Sequence, residues 1–335
     1  MADHDKLHGE EAIIALLAPL AEGFAGAFGL QDDCALLTPA PGTELVLETD
    51  PVAEGVHFLS SDAPEDVAWK ALAVNVSDLA AKGAAPLAYL MALSFPAAPD
   101  RAWLTRFAAG LGEAQARFGC QLVGGDTDRR PGPLTITITA IGSVPAGTMV
   151  RRATARAGDL VFVSGTIGDA GLGLALRKDA SLATAWGLSR AEAEELVARY
   201  VRPEPRLALG PTLRAHASAA MDISDGLVKD VGRMCKASDV AAHMAAADVP
   251  LSAAVRKVVA RSPQMLARLL TAGDDYEVLA AVASGQAQAL SAAATAAGVP
   301  VTRIGALSAG PARVEVTGPD GRKLALPRAT GWDHF

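Results

Sequence analysis

The chain has 335 residues, of which 50% are hydrophobic and only 4% aromatic. This length exceeds the size at which one hydrophobic core usually stops growing, so we expect two domains with cores built mainly from Ala, Leu and Val. The formal net charge of −7 at pH 7 argues against a nucleic-acid-binding protein, because such proteins carry a basic surface that neutralises phosphates.

The first half of the sequence alternates strand-like and helix-like patterns. The apolar stretch 12–30 contains Pro19 and Glu22 and follows two glutamates instead of a basic region, which predicts an amphipathic or buried helix and not a signal peptide. Apolar runs and alternating patterns predict strands over residues 45–48, 87–95, 121–123 and 134–144. Helical spacing predicts helices over residues 64–82 and 98–118. This order predicts a βαβ-rich N-terminal domain.

A second domain is predicted after a stretch rich in Pro and Gly. Residues 145–158 contain Arg151, Arg152 and Arg156 and form our candidate linker, so we predict domains over residues 1–148 and 149–335. A strand over 160–164 leads into the glycine-rich segment 165–173, for which a tight strand-to-helix turn and a phosphate-binding loop remain equally open. Further strands are predicted over 276–282 and 301–304, between helices rich in Ala and Leu.

Aspartates recur where strand-like runs end and in turns rich in Gly, Ser and Thr. A single turn aspartate commonly caps a helix or forms an Asx turn, but the whole set offers many oxygen ligands with little positive charge nearby. Carboxylates that converge repel one another unless a cation lies between them, and Mg²⁺ commonly bridges carboxylates to substrate phosphates. The pattern predicts a magnesium site in one cleft. Its members are Asp32, Asp33, Asp50, Asp78, Asp126, Asp222, Asp225, Asp274 and Asp275.

Other binding devices are missing from the sequence. It has no Gly-x-x-x-x-Gly-Lys-Ser/Thr segment and no protein-kinase signature set. Phosphoryl transfer requires mainly alignment and charge neutralisation, so a covalent nucleophile is unnecessary. Backbone N–H groups near Gly125 and the side chain of Arg152 are suited to phosphate. The one zinc-like spacing, His4 to His8, lacks further ligands, and the cysteines Cys34, Cys120 and Cys235 are too far apart for a zinc site.

Two further residues have open alternatives. The C-terminal segment 331–335 contains two aromatic residues and a histidine, so Trp332 is either an anchor packed on the core or part of a lid that stacks on a ligand. His57 either satisfies a core hydrogen bond or contacts substrate. The cysteine pattern also favours a reducing, cytoplasmic location over a disulfide framework.

The motifs, taken in chain order, resemble those of the thiamine-monophosphate kinase family, which belongs to the aminoimidazole-ribonucleotide-synthetase-like superfamily. The resemblance runs nearly end to end and rests on eight segments. They are DDCAL at 32–36, TD at 49–50, GVHF at 55–58, AVNVSDLAA at 73–81, GGDT at 124–127, DISDGL at 222–227, GDDYE at 273–277 and GWDHF at 331–335.

This resemblance implies a two-domain α/β fold in which the N-terminal domain binds ATP and Mg²⁺ and forms a homodimer, and the C-terminal domain completes the active site. It implies transfer of the ATP γ-phosphoryl group to thiamine monophosphate by in-line displacement with several Mg²⁺ ions. The implied metal ligands are Asp33, Thr49, Asp50, Asp78, Asp126, Asp222 and Asp225. The implied nucleotide contacts are Gly125, Asp126, Arg152 and Ser224, and the implied substrate contacts are His57, Asp274 and Trp332.

Three positions depart from the family pattern. Gln31 replaces a Gly, Glu48 replaces a Ser and either adds a ligand or is a solvated charge, and Asp274 replaces a Glu. Two rival functions remain. A relative that uses ATP to activate an amide, carbamoyl group or selenide is disfavoured, because no reactive Cys or Lys lies in a glycine-rich N-terminal segment. A non-catalytic nucleotide-binding or thiamine-phosphate-binding protein is compatible with the departures at Gln31 and Asp274.

Overall fold

The computed structural model describes residues 6–7, 9–327 and 331–332. The chain divides into two compact units. Unit 1 comprises Met1–Leu79 and Ala84–Gly147, and unit 2 comprises Ala80–Gly83 and Thr148–Phe335. In the described part of the chain, no helix has the length and apolar character needed to cross a membrane.

Unit 1 consists of a mixed sheet with helices on one face. Its elements are α1 (Glu10–Leu17), β1 (Thr43–Ala53), α2 (Pro64–Ala81), β2 (Ala85–Phe95), α3 (Arg101–Phe118), β3 (Gln121–Arg129) and β4 (Thr135–Pro145). Pro64 begins α2 and two acidic residues follow in its first turn, which suits a helix N-terminus. Asp100 caps α3 by accepting a hydrogen bond from Trp103 N at 3.1 Å. These local signals explain why both helices begin where they do.

The strand order in this sheet is β1-β4-β2-β3. Strands β2 and β3 are parallel and connected through α3, whereas β4 is antiparallel to both β1 and β2. Strand β4 alternates Thr with Ile over residues 135–139, and Ile136 and Ile138 are fully buried on the face that the helices cover. The opposite face is open, because Leu47 of β1 is 65% exposed and Leu90 of β2 is 38% exposed.

Unit 2 contains a larger sheet between helices. Its strands are β5 (Leu160–Ser164), β6 (Ala219–Ile223), β7 (Val240–Ala245), β8 (Glu277–Val282), β9 (Val301–Ala309) and β10 (Arg313–Thr317). Its helices are α4 (Asp169–Lys178), α5 (Leu182–Trp186), α6 (Arg190–Val201), α7 (Gly210–His216), α8 (Leu227–Ser238), α9 (Ala253–Arg261), α10 (Met265–Leu269) and α11 (Ala287–Ala296). The strand order is β10-β7-β9-β5-β8-β6, and β10 with β7 is the parallel pair.

The core of unit 2 lies on both faces of this sheet. Every residue of β6 and β8 is buried, and alternate residues contribute to two different apolar clusters. Met221 of β6 packs with Val231 of α8, whereas Ala220 packs with Leu213 of α7. Strands that are buried on both faces read as continuous apolar runs, and this arrangement confirms the predicted α/β fold class.

The structure also corrects several predicted elements. Strands β1 and β3 continue past the predicted ends, so Asp50 and Asp126 lie inside strands and not after them. The predicted N-terminal helix is short, since α1 ends at Leu17 and 3₁₀ turns follow. Strands β7 and β10 were not predicted.

Candidate functional site

Three carboxylates come together in unit 1. Side chains alternate along a strand, so Glu48 and Asp50 leave β1 on the same face, and α2 supplies Asp78. One carboxylate oxygen from each residue lies within 4.8 Å of the others. The buried Asn75 of α2 fixes this junction, because its Oδ1 accepts a hydrogen bond from Asp50 N at 3.0 Å and its Nδ2 donates to Ala71 O at 2.9 Å.

The chemistry of this acidic cluster suits a hard divalent cation. Three negative charges at such short separations repel one another, and a cation among them removes the repulsion. The donors are all oxygens, which favours Mg²⁺ or Ca²⁺ over zinc. Glu48, for which the sequence left a ligand and a solvated charge open, lies within the cluster.

The other unit 1 residues proposed as metal ligands lie outside this cluster. Thr49 points to the opposite face of β1, where its Oγ1 donates to Ile138 O at 3.1 Å. Asp126 lies on β3, and its Oδ1 accepts from Thr127 N at 2.8 Å. Asp33 is exposed in the segment that precedes β1.

The register of the unit 1 sheet gives the distance between Asp50 on one edge strand and Gly125 on the other. Asp50 pairs with Ile138, Ile138 pairs with Met91, and Met91 pairs with Gly125. This row crosses all four strands, so at about 4.8 Å per strand roughly 14 Å separate the Asp50 and Gly125 backbones. The sheet therefore holds Gly125 and Asp126 at the same level as Asp50 but on the far edge strand.

His57 lies in a turn directly after β1. Its Nδ1 accepts a hydrogen bond from Ala53 N at 3.0 Å, which places the ring proton on Nε2. His57 N also donates to Ala53 O at 2.9 Å, so both backbone and ring are fixed. The half-buried imidazole consequently presents Nε2 as a hydrogen-bond donor.

In unit 2, two turns pack against each other backbone to backbone. The turn of Ser224 and Asp225 follows β6, and the turn of Gly273 and Asp274 precedes β8. Asp274 N donates to Ser224 O at 2.8 Å, and a Cβ on Gly273 would overlap that same carbonyl. Glycine at 273 is therefore required by the close approach, and the approach brings Asp274 to Ser224 and Asp225.

The C-terminal segment attaches to the same place. Trp332 N donates to Asp225 O at 2.9 Å, and Lys229 Nζ donates to Trp332 O. Trp332 as a whole is 50% exposed, so it is not buried in the core. Residues 333–335 and the His4 to His8 pair lie outside the described residues.

Asp225 also forms ion pairs within unit 2. Its Oδ2 lies 3.3 Å from Lys229 Nζ and contacts Arg233 Nη2. Asp222 is buried in β6 opposite Val278 of β8. Unit 2 thus gathers most of its predicted site residues at the end of β6.

Arg152 does not join that group. Its carbonyl accepts a hydrogen bond from Ser238 Oγ at 3.1 Å, at the C-terminal end of α8. Ser224 lies before the N-terminal end of the same 12-residue helix, which is about 18 Å long. The backbones of Arg152 and Ser224, two of the four residues expected to contact the nucleotide, are therefore separated by about the length of α8.

The glycine-rich turn before α4 is filled by carboxylates. Gly168 N donates to Asp275 Oδ1 at 2.9 Å, and a Cβ on Gly165 would overlap the Glu277 carboxylate. Asp169, the first residue of α4, is buried as well. Carboxyl side chains already occupy the N-terminal end of this helix, and burial raises the pKa of Asp275 well above its usual range. A tight strand-to-helix turn, and not a phosphate loop, therefore describes residues 165–168.

Glu277 is the centre of a buried ion network that the sequence analysis missed. Arg206 binds its carboxylate through Nε at 2.7 Å and through Nη2, Arg199 Nη2 binds at 2.6 Å, and Ser164 Oγ donates at 2.6 Å. Burial alone raises the pKa of Glu277, but the arginine hydrogen bonds and charges outweigh it, so the net pKa is lowered. An acid inside an otherwise apolar strand was the available sequence signal.

Comparison with known proteins identifies relatives over nearly the whole chain. The N-terminal domain model of AIR synthase related proteins matches residues 31–144, and the C-terminal domain model matches residues 156–317. The thiamine-monophosphate kinase of Escherichia coli K12 is 40% identical, covering 92% of this chain and 91% of that protein.

Solved structures give the same picture. The crystal structure of thiamine-monophosphate kinase from Stenotrophomonas maltophilia superposes with a TM-score of 0.81 at 40% identity, covering 92% of this chain and 96% of that one. AaThiL complexed with AMPPCP and TMP has a TM-score of 0.75 at 32% identity, covering 98% and 97% of the two chains.

Proposed function

This chain belongs to the thiamine-monophosphate kinase family of AIR synthase related proteins, and we propose on that basis that it transfers the γ-phosphoryl group of ATP to thiamine monophosphate. The products are thiamine diphosphate and ADP. The observation that carries this function is the 32% identity, over 98% of the chain, to a kinase complexed with AMPPCP and TMP. The acidic cluster of Glu48, Asp50 and Asp78 supports the same chemistry.

In this proposal the acidic cluster holds Mg²⁺. A bound Mg²⁺ neutralises phosphate charge and aligns the transferred group. Asp50 and Asp78 are the principal ligands in unit 1, and Glu48 adds a carboxylate that the family pattern lacks. The remaining metal ligands of the proposal are Asp33, Thr49, Asp126, Asp222 and Asp225. Residues 1–148 form the domain that binds ATP and Mg²⁺, and residues 149–335 form the second domain.

Nucleotide and substrate contacts follow the family assignment. Gly125, Asp126, Arg152 and Ser224 contact the nucleotide in this proposal. His57 offers its Nε2–H to a phosphate oxygen, because Nδ1 already accepts from Ala53 N. The half-exposed Trp332 indole suits stacking on the aromatic rings of thiamine. Asp274 completes the thiamine monophosphate contacts. We also propose a cytoplasmic location, consistent with three free cysteines.

The proposed reaction is tested with purified protein, ATP, thiamine monophosphate and Mg²⁺, with both products separated by chromatography. We expect thiamine diphosphate and ADP in equal amounts, and no product once EDTA removes the divalent cation. Binding of thiamine monophosphate without turnover would favour a non-catalytic binding protein instead. ADP release without thiamine diphosphate would point to another acceptor.

Asp274→Glu restores the side chain that the family usually has, and we expect it to lower the KM for thiamine monophosphate several-fold with little change in kcat. Asp274 adopts a positive φ of 70°, which suits Asp better than Glu, so a small loss of stability should accompany the gain. Asp274→Ala should raise the same KM. Unchanged KM values in both variants would remove Asp274 from the substrate site.

We propose that the protein is a homodimer in which a second copy covers the open face of the unit 1 sheet. Exposed Leu47 and Leu90 lie on that face, and apolar residues at such exposure favour a protein interface. Leu47→Lys should shift the sedimentation coefficient from dimer to monomer. Leu36→Lys is the matched control, because Leu36 is similarly exposed but lies outside the sheet. A monomeric parent protein, or a dimeric Leu47→Lys variant, would contradict this interface.

A further inference from the structure

Asp230, which the proposed function does not use, lies directly behind the turn of Ser224 and Asp225. The residue is fully buried in the first turn of α8. Its Oδ2 accepts hydrogen bonds from Ser224 N at 3.1 Å and from Asp225 N at 3.0 Å. Its Oδ1 accepts from Arg233 Nη1 at 2.9 Å. One carboxylate thus binds both backbone N–H groups of the turn and an arginine.

The same turn is held from its other side. Ser224 O accepts from Asp274 N at 2.8 Å, and Asp225 O accepts from Trp332 N at 2.9 Å. All four backbone polar groups of the two residues therefore have partners within unit 2. The side chains of Ser224 and Asp225 are therefore the groups that we expect to act on a ligand, and the fixed backbone sets where those side chains begin.

Arg233 provides a second connection between the buried Asp230 carboxylate and the turn of Ser224 and Asp225. Its guanidinium pairs with Asp230 through Nη1 and with Asp225 through Nη2. The cation compensates the buried charge of Asp230, which would otherwise be costly. It also holds the Asp225 side chain, so backbone and side chain of this residue depend on the same pair.

We propose that Asp230 is a positioning residue that fixes the Ser224 and Asp225 side chains for nucleotide and metal by holding the backbone N–H groups of their turn. The inference rests on the proposed function for its ligand, since Ser224 and Asp225 are the residues assigned to nucleotide and metal there. Hydrogen bonds to a carboxylate are stronger than those to a neutral acceptor. Asp230→Asn keeps one oxygen that can accept from the turn, but it loses the charge and the second acceptor oxygen that binds Arg233. This change should therefore already loosen the turn.

The test compares Asp230→Asn and Asp230→Ala with a control, Val231→Ala, on the next residue of α8. Val231 is buried in the unit 2 core and its aliphatic side chain cannot hydrogen-bond the turn, so its truncation lowers stability by removing core packing. Amide hydrogen exchange at Ser224 and Asp225 is measured in each protein, together with the affinity for Mg²⁺ and AMPPCP by calorimetry. The thermal midpoint of each variant is measured as well, so that Asp230 variants and Val231→Ala are compared at equal stability.

We expect Asp230→Ala to lose at least 10-fold in protection at the two amides while β6 remains protected. Its affinity for Mg²⁺ and AMPPCP should fall about 10- to 100-fold, the range typical of residues that support a metal ligand. In Asp230→Asn, the protection of the two amides and the affinity for Mg²⁺ and AMPPCP should each fall by roughly 5-fold. Val231→Ala, at a matched thermal midpoint, should keep both the amide protection and the affinity.

Three outcomes would overturn the proposal. One is unchanged affinity in Asp230→Ala despite lost protection, and another is an equal loss of affinity in Val231→Ala. The third applies if Asp230→Ala does not fold: amide protection and affinity in Asp230→Asn that equal those of the parent protein would then contradict the proposal. The exchange measurement reads the turn whether or not product forms, so failure of the kinase assay and failure of this proposal are distinguishable.

Discussion

Asp50→Asn is expected to lower kcat/KM for thiamine diphosphate formation by about 10³-fold, which corresponds to about 4 kcal/mol of transition-state stabilisation. The same change should raise the thermal midpoint of the metal-free protein, because it removes one of three charges whose oxygens lie within 4.8 Å. Its backbone hydrogen bond to Asn75 does not involve the side chain and should persist. Activity and metal-free stability should thus change in opposite directions.

Calorimetry with and without Mg²⁺ provides the second readout for this variant. Mg²⁺ should raise the thermal midpoint of the parent protein and have little effect on Asp50→Asn. Glu44→Gln is the control, because Glu44 lies on the same face of β1 but hydrogen-bonds Gly147 N instead of joining the acidic cluster. A normal Mg²⁺ response in Asp50→Asn, or a lost response in Glu44→Gln, would show that the metal binds elsewhere.

The largest effect on stability is expected from Glu277→Gln. Glu277 is fully buried and neutralises Arg199 and Arg206. Removing one partner of a buried ion network leaves uncompensated charge, which typically costs about 3–5 kcal/mol. Urea unfolding of the variant and the parent measures this loss. Glu194→Gln serves as the control, since the ion pair of Glu194 with Arg190 is on the exposed surface and should contribute nothing measurable.

The pH dependence of this loss has a definite sign. The pKa of Glu277 is lowered in the folded protein, so its stabilisation is present above the unfolded value of about 4.3 and is lost as the pH falls through the folded value. The difference between parent and Glu277→Gln should be constant near neutrality and shrink in acid. A difference that grows as the pH falls would contradict the assigned charge state.

Much of the fold follows from apolar periodicity. Strand β5 has the predicted bounds, and α2 ends one residue before its predicted end. Strands β7 and β10 escaped prediction for different reasons. Strand β7 is rich in alanine, a residue depleted in strands, and β10 is an edge strand whose Arg313 and Glu315 give it the polarity of a loop.

The candidate site was predictable in its residue types but not in its grouping. The Thr49–Asp50 motif suggested two neighbouring ligands, yet adjacent strand residues point to opposite faces, and Asp50 meets Glu48 and Asp78 instead. Arg152 and Ser224 were both expected to contact the nucleotide, but the Arg152 backbone lies beside the C-terminal end of α8 and Ser224 precedes its N-terminal end. Which face a side chain takes depends on pairing register, which distant segments determine.

The filled N-terminal end of α4 has a practical consequence for interpreting variants. Gly165 and Gly168 allow the close packing of the Glu277 and Asp275 side chains, so buried carboxyl groups of the chain itself fill the segment that is richest in glycine. We expect no substitution in this segment to change the affinity for nucleotide. Substitutions in this segment should instead lower the yield of folded protein. The fraction that folds should bind ATP with the affinity of the parent protein.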